Sequence, residues 1–210
     1  MTTRILIITD GFPPAVYGGM ATHAYNIARY LGERHIALVV TPRIYGSPSA
    51  FEGLATHARN LAHQFARRIR AGNASQRWLS NKHEGEEPFG VLPILSMRFP
   101  GLDAIMLERV ARQFGANVVH VCTAGLAFDT LTRRYPTVTR VVGNDFLRPW
   151  CGYNLPLRCI LYRLPGGGTK SKVQQCESRF RKRTVVGYLR QSHTVVANSE
   201  WTKQKLPMKQ

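Results

Sequence analysis

The sequence predicts an α/β fold, a doubly wound parallel sheet with helices on both faces. Three observations carry this. Short runs of aliphatic and β-branched residues alternate along the chain with segments whose apolar residues recur at helical spacing. The runs are mostly apolar throughout, which marks strands buried on both faces. The 44% apolar content of the 210 residues supplies enough material for one sizeable core.

The elements follow in order. Residues 4–9, Arg-Ile-Leu-Ile-Ile-Thr, form the first strand, and 10–19 form a loop rich in Gly and Pro. From 20 to 31 the apolar residues repeat at helical spacing and set Ala24, Ile27, Ala28 and Leu31 on one face. Gly32 ends that helix. Residues 36–41 are the second buried strand, closed by Pro42. Strand, glycine loop, helix and strand within about 40 residues make a βαβ unit.

A turn is expected at 43–50. Residues 51–71 read as an amphipathic helix with Leu54, Ala58, Leu61, Ala62, Phe65 and Ile69 opposite arginines, and 73–88 as a polar surface loop. Residues 91–97 form a strand interrupted by Pro93, which places it at a sheet edge. Helices are expected at 102–114, 127–135 and 173–191, the last long and basic. Strands are expected at 117–122, 137–142 and 194–197. Ser199 caps a helix that begins at 200 and runs to 206. If this order is right, Ile7, Val39, Val119 and Val141 lie buried in adjacent strands of a Rossmann-like sheet.

Net charge is +17. Residues 146–210 hold 13 Lys/Arg against two Glu, a net of +11, and residues 1–145 hold 16 against 10, a net of +6. Such a field attracts nucleotide phosphates, anionic lipid headgroups or nucleic acid, and it also suits a solvated basic face. No stretch approaches the roughly 18 consecutive apolar residues of a membrane span. The apolar run 5–8 is too short for a signal peptide and leads straight into Asp10 and Gly11, so a cytoplasmic protein is expected. Cys122, Cys151, Cys159 and Cys176 make no C-x-x-C pair and are expected to be free thiols, with neither a zinc site nor a redox motif. His83-Glu84-Gly85-Glu86-Glu87 reads as a solvated loop without metal-ligand spacing. Pro165-Gly166-Gly167-Gly168-Thr169-Lys170-Ser171 fails the P-loop pattern because Thr169 separates Gly168 from Lys170, so it reads as a basic loop.

Ligands of such a sheet bind outside the carboxyl ends of the strands, where four segments of this chain terminate. In the first, 10–19, the paired glycines Gly18 and Gly19 let backbone approach a ligand, and the helix N-terminus after them favours negative charge. Taken alone it reads as a plain strand-to-helix turn, and the absence of G-x-G-x-x-G argues against ordinary NAD binding. In the second, 119–125, His120 lies within the strand and reads as a core histidine with its hydrogen bonds satisfied. The third, Val142-Gly143-Asn144-Asp145-Phe146, suits hydrogen bonding to a hydroxyl-rich ligand, with an Asx-type turn as the alternative. In the fourth, 197–200, Ser199 has the structural role of a cap.

The ordered set of these segments resembles the N-terminal domain of family 4 glycosyltransferases. The residues that carry the likeness are the opening strand, the loop Pro13-Pro14 to Gly18-Gly19, His23 in the first helix and the strand Ile36-Ala37-Leu38-Val39-Val40-Thr41. With them go Asn117-Val118-Val119-His120-Val121, similar to that family's "DVVH" strand, Val142-Gly143-Asn144-Asp145 in place of its "HG-x-D" loop, and Val195-Val196-Ala197-Asn198-Ser199-Glu200, similar to its "vvaxS" turn. Each motif is weak alone; together they span most of 4–203. Val142 stands where the family often has a histidine.

The resemblance implies one half of a GT-B architecture: residues 1–199 as the acceptor-side Rossmann-like domain and 200–210 as the start of an interdomain segment, with the donor domain absent. It implies metal-independent transfer from a nucleotide-sugar, which is a co-substrate, with no cofactor. Gly18 and Gly19 then approach the donor diphosphate and transferred sugar, while His23, Gly143, Asn144 and Asp145 face acceptor or sugar hydroxyls. No catalytic residue and no metal ligand are assigned. Partners are the nucleotide-sugar donor, a sugar, lipid or polysaccharide acceptor, an anionic membrane surface on the inner face, and a separate donor-domain chain. No specific nucleic acid is expected. Because the chain stops at Gln210 and Pro207 breaks the helix begun at Glu200, it reads as truncated; with the donor half absent and an apolar Val142 that cannot polarise a hydroxyl, it reads as inactive alone. Two alternatives stay open: one subunit of a split glycosyltransferase, or a non-enzymatic basic module binding anionic membrane or nucleic acid, in which Arg179, Arg181, Lys182 and Arg183 cluster with Phe180 and Tyr188.

Overall fold

The structure, a computed structural model, describes residues 2–13, 19–42, 87–95, 100–142 and 182–206. The expected turn at 43–50, the helix at 51–71, nearly all of the loop at 73–88 and the first half of the helix at 173–191 lie outside the described residues, as do Cys151, Cys159 and Cys176.

In chain order the strands are β1 (Arg4–Ile8), β2 (Ile36–Pro42), β3 (Phe89–Leu95), β4 (Val118–Val121), β5 (Thr137–Val141) and β6 (Thr194–Ala197). They form one six-stranded sheet in the order β3-β2-β1-β4-β5-β6. Every pairing is parallel. The helices are α1 (Gly19–Gly32), α2 (Pro100–Phe114), α3 (Asp129–Thr132), α4 (182–191) and α5 (Glu200–Lys205). A 3-10 turn, Ala124–Leu126, follows β4.

The apolar runs explain the layering. Alternate residues of each strand face opposite sides. Leu6, Ile8, Leu38, Val40, Val119 and Val121 pack against Leu107, Val110, Ala111 and Phe114 of α2. Ile5, Ile7, Ala37 and Val39 pack against Ala24 and Ala28 of α1 on the other face. The sheet is thus wound on both sides. Ile7, Val39, Val119 and Val141 are all fully buried on the four adjacent strands β2, β1, β4 and β5, as the apolar pattern requires. Each such side chain contributes roughly 1.5–3 kcal/mol relative to exposure. On the α2 side, Val185 and Leu189 of α4 extend the layer over Val141.

Pro93 lies in β3, which pairs with β2 alone and ends the sheet. An edge strand tolerates the missing donor, as expected. Gly32 is the last residue of α1, but its role is more than that of a terminator. A Cβ there would sit 2.5 Å from the Pro88 carbonyl oxygen, so glycine lets α1 close onto the lead into β3. The helix expected at 127–135 is a single turn, Asp129–Thr132, preceded by the 3-10 turn. Pro136 and the short link between β4 and β5 leave no room for more. Ser199 caps α5 as its sequence context predicts, accepting a hydrogen bond from the Thr202 amide at 3.1 Å.

Candidate functional site

β1 and β4 are neighbours at the centre of the sheet, and the chain leaves them toward opposite edges. This is the topological switch point, where doubly wound sheets open a crevice at the carboxyl ends of the strands. The Cys122 amide donates to the Ile8 carbonyl at 2.8 Å and holds the two ends together. Beyond β1, Thr9 makes a tight turn: its hydroxyl donates to the Gly11 carbonyl at 2.8 Å and accepts from the Gly11 amide at 3.3 Å. That turn aims Asp10 across the crevice. The Thr123 hydroxyl, just beyond β4, donates to Asp10 Oδ1 at 2.9 Å. Burial raises the Asp10 carboxyl above its ordinary value, and the Thr123 hydrogen bond opposes that shift.

A second group gathers on the α1 side. His120, Ile7 and Val138 share one register row of β4, β1 and β5. Ile7 packs toward α1, so His120 faces the same way. Arg140 is two residues beyond Val138 and therefore on that face too. Both His120 and Arg140 are the penultimate residues of their strands. His23 stands in the second turn of α1, half-buried.

The charges of these groups reach one another. His120 is held down to about 4, first by burial, then by His23 and Arg140. His23 is lowered as well, first by burial and then by Arg140. The Cys122 thiol is pushed up to about 12 by burial, with Arg140 opposing and the Asp10 carboxylate reinforcing. At neutral pH the group therefore presents two neutral imidazoles, one guanidinium and an inert thiol. Such a set can hold oxyanions and polarise hydroxyls, but Cys122 cannot act as a nucleophile.

One expectation is corrected here. His120 does not have its hydrogen bonds satisfied, since its Nε2 is buried with no partner. Its register neighbours on this face, Ile7 and Val138, are aliphatic and offer no hydrogen-bonding atom.

Of the residues singled out by sequence, Gly19 is the exposed first residue of α1, and His23 is half-buried on α1, which packs on the same face of the sheet as His120. Gly18, Gly143, Asn144 and Asp145 lie outside the described residues, so their approach to this crevice is not described. Val142 is half-buried directly after β5. Sequence reasoning does not single out Asp10, Thr123 or Arg140. Arg140 did carry a signal, as the lone charge inside an otherwise uncharged strand. Asp10 and Thr123 are ordinary loop residues until the fold pairs them.

Among the described residues no three His, Cys, Asp or Glu side chains gather as a metal site, and no helix is long and apolar enough to cross a membrane. No protein-family model matches this chain, and no curated protein matches it.

Proposed function

We propose that this chain is the acceptor-binding, N-terminal half of a GT-B glycosyltransferase, which transfers a sugar from a nucleotide-sugar to an acceptor hydroxyl. The observation that supports it best is the convergence of His23, His120, Asp10 and Thr123 at the switch point of a Rossmann-like sheet. The strands β1, β4, β5 and β6, which lead into the motif-bearing segments, end at this same sheet edge. Neutral imidazoles and a hydroxyl-bound carboxyl suit a polyhydroxy ligand, because each offers or accepts a hydrogen bond without demanding a counter-charge. Gly19 opens α1 beside them, where backbone amides favour a diphosphate.

In this reading residues 1–210 hold one side of the reaction, and orientation of donor against acceptor needs both sides. Purified 1–210 therefore turns over no UDP- or GDP-sugar, yet binds simple sugars or glycolipid headgroups weakly. Amide chemical shifts of 10–12, 19–24 and 120–124 test this. Perturbation confined to those segments by millimolar glycosides supports the reading. Robust turnover by the pure monomer, or glycoside-induced shifts only elsewhere, defeats it.

The exposed cations Lys182, Arg183, Arg190, Lys203 and Lys205 of α4 and α5 support a second part of the proposal, peripheral contact with anionic lipid through this end of the chain.

A further inference from the structure

We infer that His23, His120 and Arg140 form a binding site for a phosphoryl-type oxyanion on the α1 side of the sheet, at the carboxyl ends of β4 and β5. The inference deepens the proposed function by giving the ligand's phosphate a place, and in that respect rests on it.

Three observations carry it. Arg140 projects from the penultimate position of a strand, half-buried, and among the described residues no carboxylate forms an ion pair with it. A guanidinium in that setting presents a planar fork of donors suited to a phosphoryl group. His120 lies on the same face of the neighbouring strand with its Nε2 buried and unpartnered. Buried polar atoms are nearly always partnered, so an orphan at the mouth of a switch point marks a place where a ligand oxygen completes the bonding. His23 lies half-buried on α1, the helix that packs on this same face of the sheet, and its charge and that of Arg140 both bear on His120.

Anion binding here is linked to protons. Burial, and after it Arg140, hold His23 below its ordinary value. A bound dianion offsets the Arg140 charge, so His23 takes up a proton more readily in the complex. Affinity then rises as pH falls through the His23 value of the bound state. His120 starts lower and follows further down. Asp10, across the crevice from β1, acts in the same direction, because its ionised form repels the anion and protonation removes that repulsion. Cys122 stays neutral throughout and contributes nothing.

The test uses sulfate, a dianion that does not itself titrate between pH 5 and 8. The imidazole resonances of His23 are followed by NMR through that range, with and without sulfate. The expected result is an upward move of the His23 midpoint by about half a unit, with about threefold tighter sulfate binding at the acid end. Arg140→Gln abolishes the move, while His23→Gln keeps binding but weakens its pH dependence. Should Arg140→Gln fail to fold, the wild-type titration decides alone. An unmoved His23 midpoint overturns the inference, as does a folded Arg140→Gln protein that behaves like wild type. UDP and glycerol 1-phosphate then separate the sources: a larger move with UDP assigns a nucleotide diphosphate, a larger move with glycerol 1-phosphate assigns a phosphorylated acceptor, and no move with either overturns the site. None of these readouts needs sugar transfer, so robust turnover by the pure monomer, or glycoside-induced shifts only elsewhere, alongside a responsive His23 tells against the proposed function and leaves the site standing.

Discussion

The Thr123 hydroxyl donates to the Asp10 carboxylate at 2.9 Å, joining residues 113 positions apart at the ends of neighbouring central strands. Thr123 is almost fully buried, and the bond is the direct side-chain link across the switch point among the described residues. It opposes the burial that raises the Asp10 carboxyl, and so helps keep an ionisable group inside the crevice.

Replacing Thr123 by Val keeps the shape and removes the donor. The Asp10 carboxyl then loses its partner, with an expected cost of about 1–3 kcal/mol at neutral pH. Asp10→Asn acts in the opposite sense with pH. A carboxyl whose folded value is raised binds its proton more tightly in the folded state, so its contribution to stability falls as pH climbs from the ordinary value of 3.8 through the folded value. The Asn variant lacks this loss. Urea midpoints at pH 4 and pH 7 should show it gaining on wild type toward pH 7, and the reverse trend would contradict the burial argument.

Cys122 is buried, free and has its thiol pushed up to about 12. At pH 8 only about one molecule in ten thousand carries the thiolate there. Peptide mapping after brief treatment with a thiol reagent should find Cys122 unmodified in the folded protein and modified in urea. Rapid labelling of the folded protein would show that the crevice is open to solvent at this depth.

Two glycines should respond oppositely to alanine. At Gly32 the new Cβ meets the Pro88 backbone at 2.5 Å, which cannot yield without moving the lead into β3. A loss of about 1–3 kcal/mol is expected. Gly187 lies inside helix α4 with open space where a Cβ would go. There alanine should stabilise by up to about 1 kcal/mol through helix propensity. Thermal midpoints of the two variants measure both effects, and a neutral Gly32→Ala would mean that α1 is not docked as described.

Flotation with vesicles tests the lipid contact. Each well-placed cation of α4 and α5 contributes about 1 kcal/mol toward an anionic surface. Binding should therefore be strong to phosphatidylserine vesicles and fade with salt. Equal binding to neutral vesicles would refute the electrostatic account, and preferential salt-sensitive binding to nucleic acid would favour the basic-module alternative.

The fold was legible where the physics is local. The strands 4–9 and 36–41 were readable within a residue or two, because a buried parallel strand needs an apolar, β-branched run of just that length; 194–197 was readable from its β-branched residues, though it is a partly exposed edge strand. The edge position of β3 followed from Pro93, and the cap of α5 followed from Ser199, since each depends on one residue and its own backbone. The helix at 127–135 was overread. Its periodicity is real, but the span from β4 to β5 admits only one α-helical turn.

The candidate site was legible only in part. His23 stood out through its place in the first helix. His120 stood out as a strand histidine, yet whether its Nε2 finds a partner depends on Ile7 and Val138 flanking it on the neighbouring strands, which no feature near residue 120 announces. Arg140 shares a face with His120 because β4 and β5 are neighbours in a particular register.

By itself, then, the sequence determined the α/β class, the central buried strands and the Ser199 cap, because propensity, apolar period and capping act over a few residues. The tertiary structure alone decided the strand order, the Asp10–Thr123 bond and the His23–His120–Arg140 group. Those depend on which strands become neighbours and on which face each side chain emerges, and a shift of one residue in register would turn His120 and Arg140 to the opposite side of the sheet.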